Sequence, residues 1–123
     1  MEVVAVLGAS NDSSRYSHQA MKLLKQHGHK VIPINPKEDE VLGEKAYKNL
    51  EQLANSGQKV DTITVYVNSA ISEQYEHEFI RLAPRRVIFN PGAESMALEK
   101  SLKQNGIVVE NACTLVLLRT SQY

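Results

Sequence analysis

Glu2-Val-Val-Ala-Val-Leu-Gly-Ala-Ser-Asn-Asp-Ser-Ser-Arg-Tyr16 is the stretch on which the fold turns. Its first six residues form a short, nearly continuous apolar run with β-branched members, the pattern of a strand buried on both faces. Gly8 stops the run and small polar residues follow. From about Ser13 to Gly28 the residues Tyr16, Ala20, Leu23, Leu24 and His27 recur at helical spacing, with Ser13 or Ser14 placed to cap the helix and Gly28 to close it.

The same strand–loop–helix unit recurs downstream. Lys30-Val-Ile-Pro-Ile34 reads as a second strand, followed by a loop through Gly43 and a short helix near Leu50 to Ala54. Thr62 to Val67 is a third strand, and Ile71, Tyr75, Phe79 and Leu82 mark one helix that Pro84 ends. Arg86 to Phe89 is a fourth strand, Glu94 to Gln104 a helix closed by Gly106, Ile107 to Val109 a fifth strand, and an apolar helix starts at about Cys113. Strands separated by helices require right-handed crossovers and a parallel sheet covered on both faces. The expectation is a three-layer, Rossmann-like α/β fold in one domain, residues 1–123, with five parallel strands in the order 3-2-1-4-5. Ligands in such sheets bind outside the carboxyl ends of the strands, where the winding reverses. That places the site at loops 8–16, 33–37, 66–69, 90–94 and 110–113, between the first and fourth strands.

Composition narrows the function. Fourteen Lys plus Arg balance fourteen Asp plus Glu, which argues against a grip on nucleic acid or an anionic membrane, since both need clustered cations. Arg85-Arg86 is too small a patch. Cys113 is the only cysteine, so no internal disulfide or cysteine-based zinc site is available. The longest apolar runs, Val3 to Leu7 and Leu115 to Leu118, fall far short of the roughly 18 residues of a membrane span, and Met1-Glu2 is not a positively charged signal start. The expected location is the cytoplasm.

The loops carry the candidate chemistry. At Gly8 to Tyr16, helix-start amides carry partial positive charge and a glycine lets the backbone approach an anion. The three-glycine dinucleotide fingerprint is absent, because Gly8, Ser10 and Ser13 occupy its positions. An NAD site also expects an acidic residue at the end of the second strand. Here the chain has Pro33-Ile-Asn-Pro-Lys37, with no carboxylate until Glu38. Asn35 and Lys37 suit a phosphate on the ribose, as in coenzyme A or NADP. Asn35, Asn68, Asn90 and Asn111 recur at strand ends, where an amide can serve a ligand or simply make a turn. Cys113 reads either as a small buried hydrophobe or as a thiol at a helix start within reach of a ligand thiol.

Together, Val6-Leu-Gly-Ala-Ser10, Val31-Ile-Pro-Ile-Asn-Pro-Lys37 with Gly43 downstream, Val87-Ile-Phe-Asn-Pro-Gly92 and Val108-Val-Glu-Asn-Ala-Cys113 resemble the small stand-alone CoA-binding proteins. Their fold is related to the CoA-binding domain of the succinyl-CoA synthetase α subunit. The resemblance implies coenzyme A or an acyl-CoA as ligand. Gly8, Ala9, Ser10, Asn11, Arg15 and Tyr16 would hold the pyrophosphate, and Pro33, Asn35, Pro36 and Lys37 the adenosine 3′-phosphate end. Tyr66, Val67 and Asn68 with Asn90, Pro91 and Gly92 would flank the remainder.

Intrinsic catalysis finds little support. His18, His27, His29 and His77 are expected away from the cleft and lack metal-helix spacing. Neither Ser10 nor Ser95 sits in a serine-elbow pattern. Hydride transfer would require a substrate pocket beyond a nucleotide half, and the ligase that the chain resembles uses a phosphorylated histidine in a second domain. The expected role is a carrier, sensor or accessory protein. The alternatives are an NADP-dependent reductase component, or a separated nucleotide-binding subunit working with a ligase chain. The apolar Leu115 to Leu118 helix either packs on the sheet or offers a self-association face for a homodimer.

Overall fold

The computed structural model describes residues 1–123. In chain order it contains β1 (Val3–Leu7), α1 (Tyr16–Gln26), β2 (Lys30–Ile34), β3 (Glu40–Val41), β4 (Glu44–Lys45), α2 (Leu50–Asn55), β5 (Thr62–Val65) and α3 (Ser69–Ser72). A 3-10 segment (Glu73–Tyr75), α4 (Glu76–Leu82), β6 (Arg86–Phe89), α5 (Met96–Gln104), β7 (Val108–Asn111) and α6 (Thr114–Arg119) complete it.

The expected sheet of five parallel strands is found, with helices on both faces. Side chains alternate along β1, and this explains its unbroken apolar run. Val4 and Val6 pack with Met21, Leu24 and Leu118 under α1 and α6, while Ala5 and Leu7 join Leu53, Phe79, Phe89 and Leu98 under α2, α4 and α5. A strand covered on both sides has no polar face to alternate with.

The order of the strands is corrected. The sheet runs β2-β1-β5-β6-β7, so its five strands lie 2-1-3-4-5 rather than 3-2-1-4-5. β1 pairs with β5 from Val4 opposite Thr62 to Leu7 opposite Val65, and β2 lies at the margin. Pro33 supplies the physical reason. Its carbonyl points away from β1 and accepts the amide of Tyr47 at 3.0 Å, so its ring nitrogen, which has no proton to donate, faces the same outer side. A proline in that position excludes a full partner strand and confines β2 to an edge. The winding therefore reverses between β1 and β5.

Four smaller expectations also shift. The buried stripe of α1 is Ser17, Ala20, Met21 and Leu24, and Tyr16 is 70% exposed. The helix expected over 71–82 is split, since Asn68 caps a separate α3 and, of its four marker residues, only Phe79 is fully buried. The fifth strand runs to Asn111. The loop through Gly43 holds a hairpin, in which Leu42 (φ 49°) and Gly43 (φ 80°) form the two-residue turn between β3 and β4. Two positive φ values are what a type I′ turn demands.

Candidate functional site

The carboxyl ends of β1, β5 and β6 open onto three adjoining cavities. The largest, about 370 Å³, is lined by Gly8, Ser14, Arg15, Tyr16, Ser17, Tyr66 and Pro91. A second of about 140 Å³ shares Gly8 and is walled by Ile34, Pro36, Val67, Ile71 and Tyr75, with Lys48 and Asn49 beside them. A third of about 100 Å³ shares Tyr16, Tyr66 and Pro91 with the first and reaches Asn90 and Cys113. The three form one cleft across the reversal point, where doubly wound sheets bind ligands.

Gly8 is the hinge between the first two cavities. Its φ is +95°, and a Cβ there would lie 3.0 Å from Val67 Cγ1 and 3.3 Å from the Tyr66 carbonyl carbon. Only glycine lets the loop lie so close to the Tyr66–Val67 segment that follows β5. The Gly8 and Ala9 amides are spent inside the protein, however, since both donate to Ile34 O at 3.0 and 3.1 Å.

The free donors lie farther on. Ser13 and Ser14 were expected to cap α1, but Arg15 takes that position and no side chain caps the helix. Ser14 instead donates through its amide and hydroxyl to Asp12 Oδ1, at 2.9 and 2.7 Å. These bonds hold the Asp12 carboxyl below its ordinary pKa and close a small turn ahead of the helix. The first-turn amides of an uncapped helix have no intrahelical partner, and here Tyr16 and Ser17 of that turn line the largest cavity. Ser17 lines this cavity although only 3% of it is exposed, and the buried side-chain group beside it without a hydrogen-bond partner is the Tyr66 hydroxyl.

The asparagines all make hydrogen bonds within the fold. Asn35 Nδ2 donates to Ala9 O at 2.7 Å and its Oδ1 accepts the Lys37 amide at 2.7 Å, clasping the end of β2 to the Gly8 loop. Asn68 caps α3, and Asn111 donates to Glu99. Asn90, although at the cavity wall, is 3% exposed. It donates to Thr64 Oγ1 and Val65 O and accepts the Thr114 amide at 2.8 Å.

Of the expected site residues, the cleft brings together Gly8, Arg15, Tyr16, Pro36, Tyr66, Val67, Asn90 and Pro91. Ala9 and Pro33 are buried in the fold. Ser10 accepts the Asp12 amide, Asn11 bridges to Glu38 and the Glu40 carbonyl, and the Gly92 amide donates to Glu94. Lys37 is exposed and lines none of the three cavities.

Sequence reasoning missed Ser17, Lys48, Ile71 and Tyr75. Ser17 left a signal, a lone serine within an otherwise apolar stripe. Lys48 left none, because the hairpin that positions it is short and irregular. His18 is also nearer than expected, with Nδ1 2.8 Å from Ser10 O. No group of three His, Cys, Asp or Glu is arranged to hold a metal, and no helix is long and apolar enough to cross a membrane.

A doubly wound parallel sheet with an open cleft at its reversal point defines a Rossmann-like α/β domain. The family model for the CoA binding domain matches residues 2–119, and the chain belongs to that family. It is 28% identical to the Bacillus subtilis (strain 168) uncharacterized protein YneT over 92% of this chain and 82% of that one. It is also 45% identical over 51 residues to the α subunit of an ADP-forming acetate–CoA ligase II from Pyrococcus furiosus. That match covers 41% of this chain and 11% of the subunit. Among solved structures, a cell-free-produced protein from Thermus thermophilus superposes with a TM-score of 0.87 at 31% identity, covering 99% of this chain and 90% of that one. A dinucleotide-forming acetyl-coenzyme A synthetase from Ca. Korarchaeum cryptofilum, in complex with phosphate and ADP, gives 0.75 at 25% identity over 90% of this chain and 25% of that one.

Proposed function

We propose that the protein is a cytoplasmic binding domain for coenzyme A or an acyl-CoA, without catalysis of its own. The observation that carries this reading is the uncapped start of α1 at the wall of the largest cavity of the cleft, with the unpartnered Tyr66 hydroxyl beside it. Open amides at the positive end of a helix suit a pyrophosphate. The apolar cavity beyond Gly8 takes the adenine, against Pro36 and Tyr75. On the other side, the cavity between Tyr16 and Tyr66 takes the pantetheine arm and leads its thiol toward Cys113. Family membership supports the ligand, and the absence of a carboxylate among the residues lining these cavities disfavours an unphosphorylated ribose diol.

Isothermal titration of the protein with CoA, NADP and NAD tests the reading. CoA binds most tightly and NAD least; no heat with CoA, or tighter binding of NADP, overturns it. The partial likeness to a ligase α subunit favours a second reading, in which the domain supplies the CoA-binding part of an acyl-CoA ligase. A larger nucleotide-dependent ligase chain that copurifies with the protein and restores CoA-ligase activity distinguishes this from a free-standing carrier.

A further inference from the structure

We infer that Lys48, and not Lys37, is the cation by which the cleft selects a phosphorylated ribose. The inference rests on the CoA reading and names the residue that gives the site its specificity. Lys48 is the one charged side chain lining the apolar cavity assigned to the nucleoside. The residue before it is fixed, since the Tyr47 amide donates to Pro33 O at 3.0 Å and the Asn35 amide to Tyr47 O at 2.9 Å. The Lys48 amide in turn donates to Gln52 Oε1 at 2.9 Å. The root of the side chain is therefore held at the outer edge of β2.

The ammonium group, in contrast, is held weakly. It donates to Glu38 O at 2.9 Å and to Asp39 Oδ1 at 3.0 Å, and the Asp39 side chain is 99% exposed. An ion pair of that kind contributes at most about 1 kcal/mol. A phosphate carries more charge and offers several acceptor oxygens, so it displaces Asp39 readily. Asp39 thus occupies one of the donor directions that a phosphate oxygen would take. The rival cation is poorly placed for this task. Lys37 has its amide tied back to Asn35 and its side chain outside the cleft, so substituting it leaves phosphate recognition intact.

The test compares CoA with dephospho-CoA by calorimetry on the wild type and on Lys48→Gln, Lys48→Arg, Lys37→Gln and Asp39→Asn. The expected result is a wild-type preference for CoA that falls about tenfold in Lys48→Gln. The preference persists in Lys48→Arg and Lys37→Gln, and Asp39→Asn binds CoA a few-fold more tightly. A preference lost in Lys37→Gln but kept in Lys48→Gln overturns the inference while leaving the CoA reading standing. Wild-type protein that binds neither compound overturns both. Lys48→Gln that loses both ligands equally, with an unchanged melting temperature, refutes a phosphate-specific role.

Discussion

Ser17 shows how much one side chain can say about a site. On the buried face of α1, alongside Ala20, Met21 and Leu24, an apolar residue would pack at least as well. A serine kept there, at the wall of the largest cavity, is placed to meet a ligand. Ser17→Ala is therefore expected to leave stability within about 0.5 kcal/mol of wild type and to weaken CoA about five- to tenfold. Urea unfolding and calorimetry on the same preparation check the two halves. A variant that loses stability but not affinity assigns the hydroxyl to folding. Asn90 teaches the opposite lesson. At a strand end in a cleft loop it reads as a ligand contact, yet its amide ties β5, β6 and α6 together. Both are polar residues at the wall of the cleft; what sets Asn90 apart is its partners, Thr64, Val65 and Thr114, which are distant in sequence and which no local pattern reveals.

At the level of elements, the sheet strands and the longer helices were legible because burial imposes a period. β1, β5 and β6 are runs of buried residues, and α5 carries a clear stripe ending near Gly106. What escaped was set by backbone conformation rather than hydrophobic pattern. A type I′ turn usually announces itself as Asn-Gly or Asp-Gly, and Leu42-Gly43 hides it. Leu42 accepts the left-handed conformation while packing against the α1–α6 core. The end of α4 is a related case. Pro84 disfavours right-handed helical geometry in the residue before it, and Ala83 sits at φ 47° and ψ 53°. A left-handed alanine is strained by its Cβ, so Ala83→Gly is expected to raise stability by about 0.5–1 kcal/mol. A lower denaturation midpoint in that variant would contradict the assignment.

Over the whole molecule, two tyrosines at opposite ends of the fold set its tolerance of alkali. Tyr66, beside the cleft, has its pKa pushed up to about 12 by burial. Tyr123 lies with its ring 4.3 Å from the Arg86 guanidinium, and burial raises its pKa as well. Both hydroxyls stay protonated in the fold after the unfolded chain has begun to ionise at about pH 10. Their contribution is complete below that pH and is lost as pH rises through the folded values. Urea midpoints are expected to hold below about pH 10 and to fall as pH rises above it, less steeply in Tyr66→Phe; an unchanged slope in that variant would remove Tyr66 from the account.

The architecture itself was readable in the sequence from the alternation of strands and helices, but the strand order was not. Right-handed crossovers permit both 3-2-1-4-5 and 2-1-3-4-5, and the clue that separates them, a proline in the second strand, marks a margin rather than a neighbour. The two margins of the sheet are unlike. Along β2 the outer side is blocked by Pro33 and fastened to Tyr47, whereas β7 pairs only with β6 and leaves Val108 exposed. Lateral growth is thus possible in one direction alone. Two copies joined back to back along β7 would make a ten-stranded slab whose remaining rims are both sealed, so such joining ends in a closed pair and never runs on into a fibre.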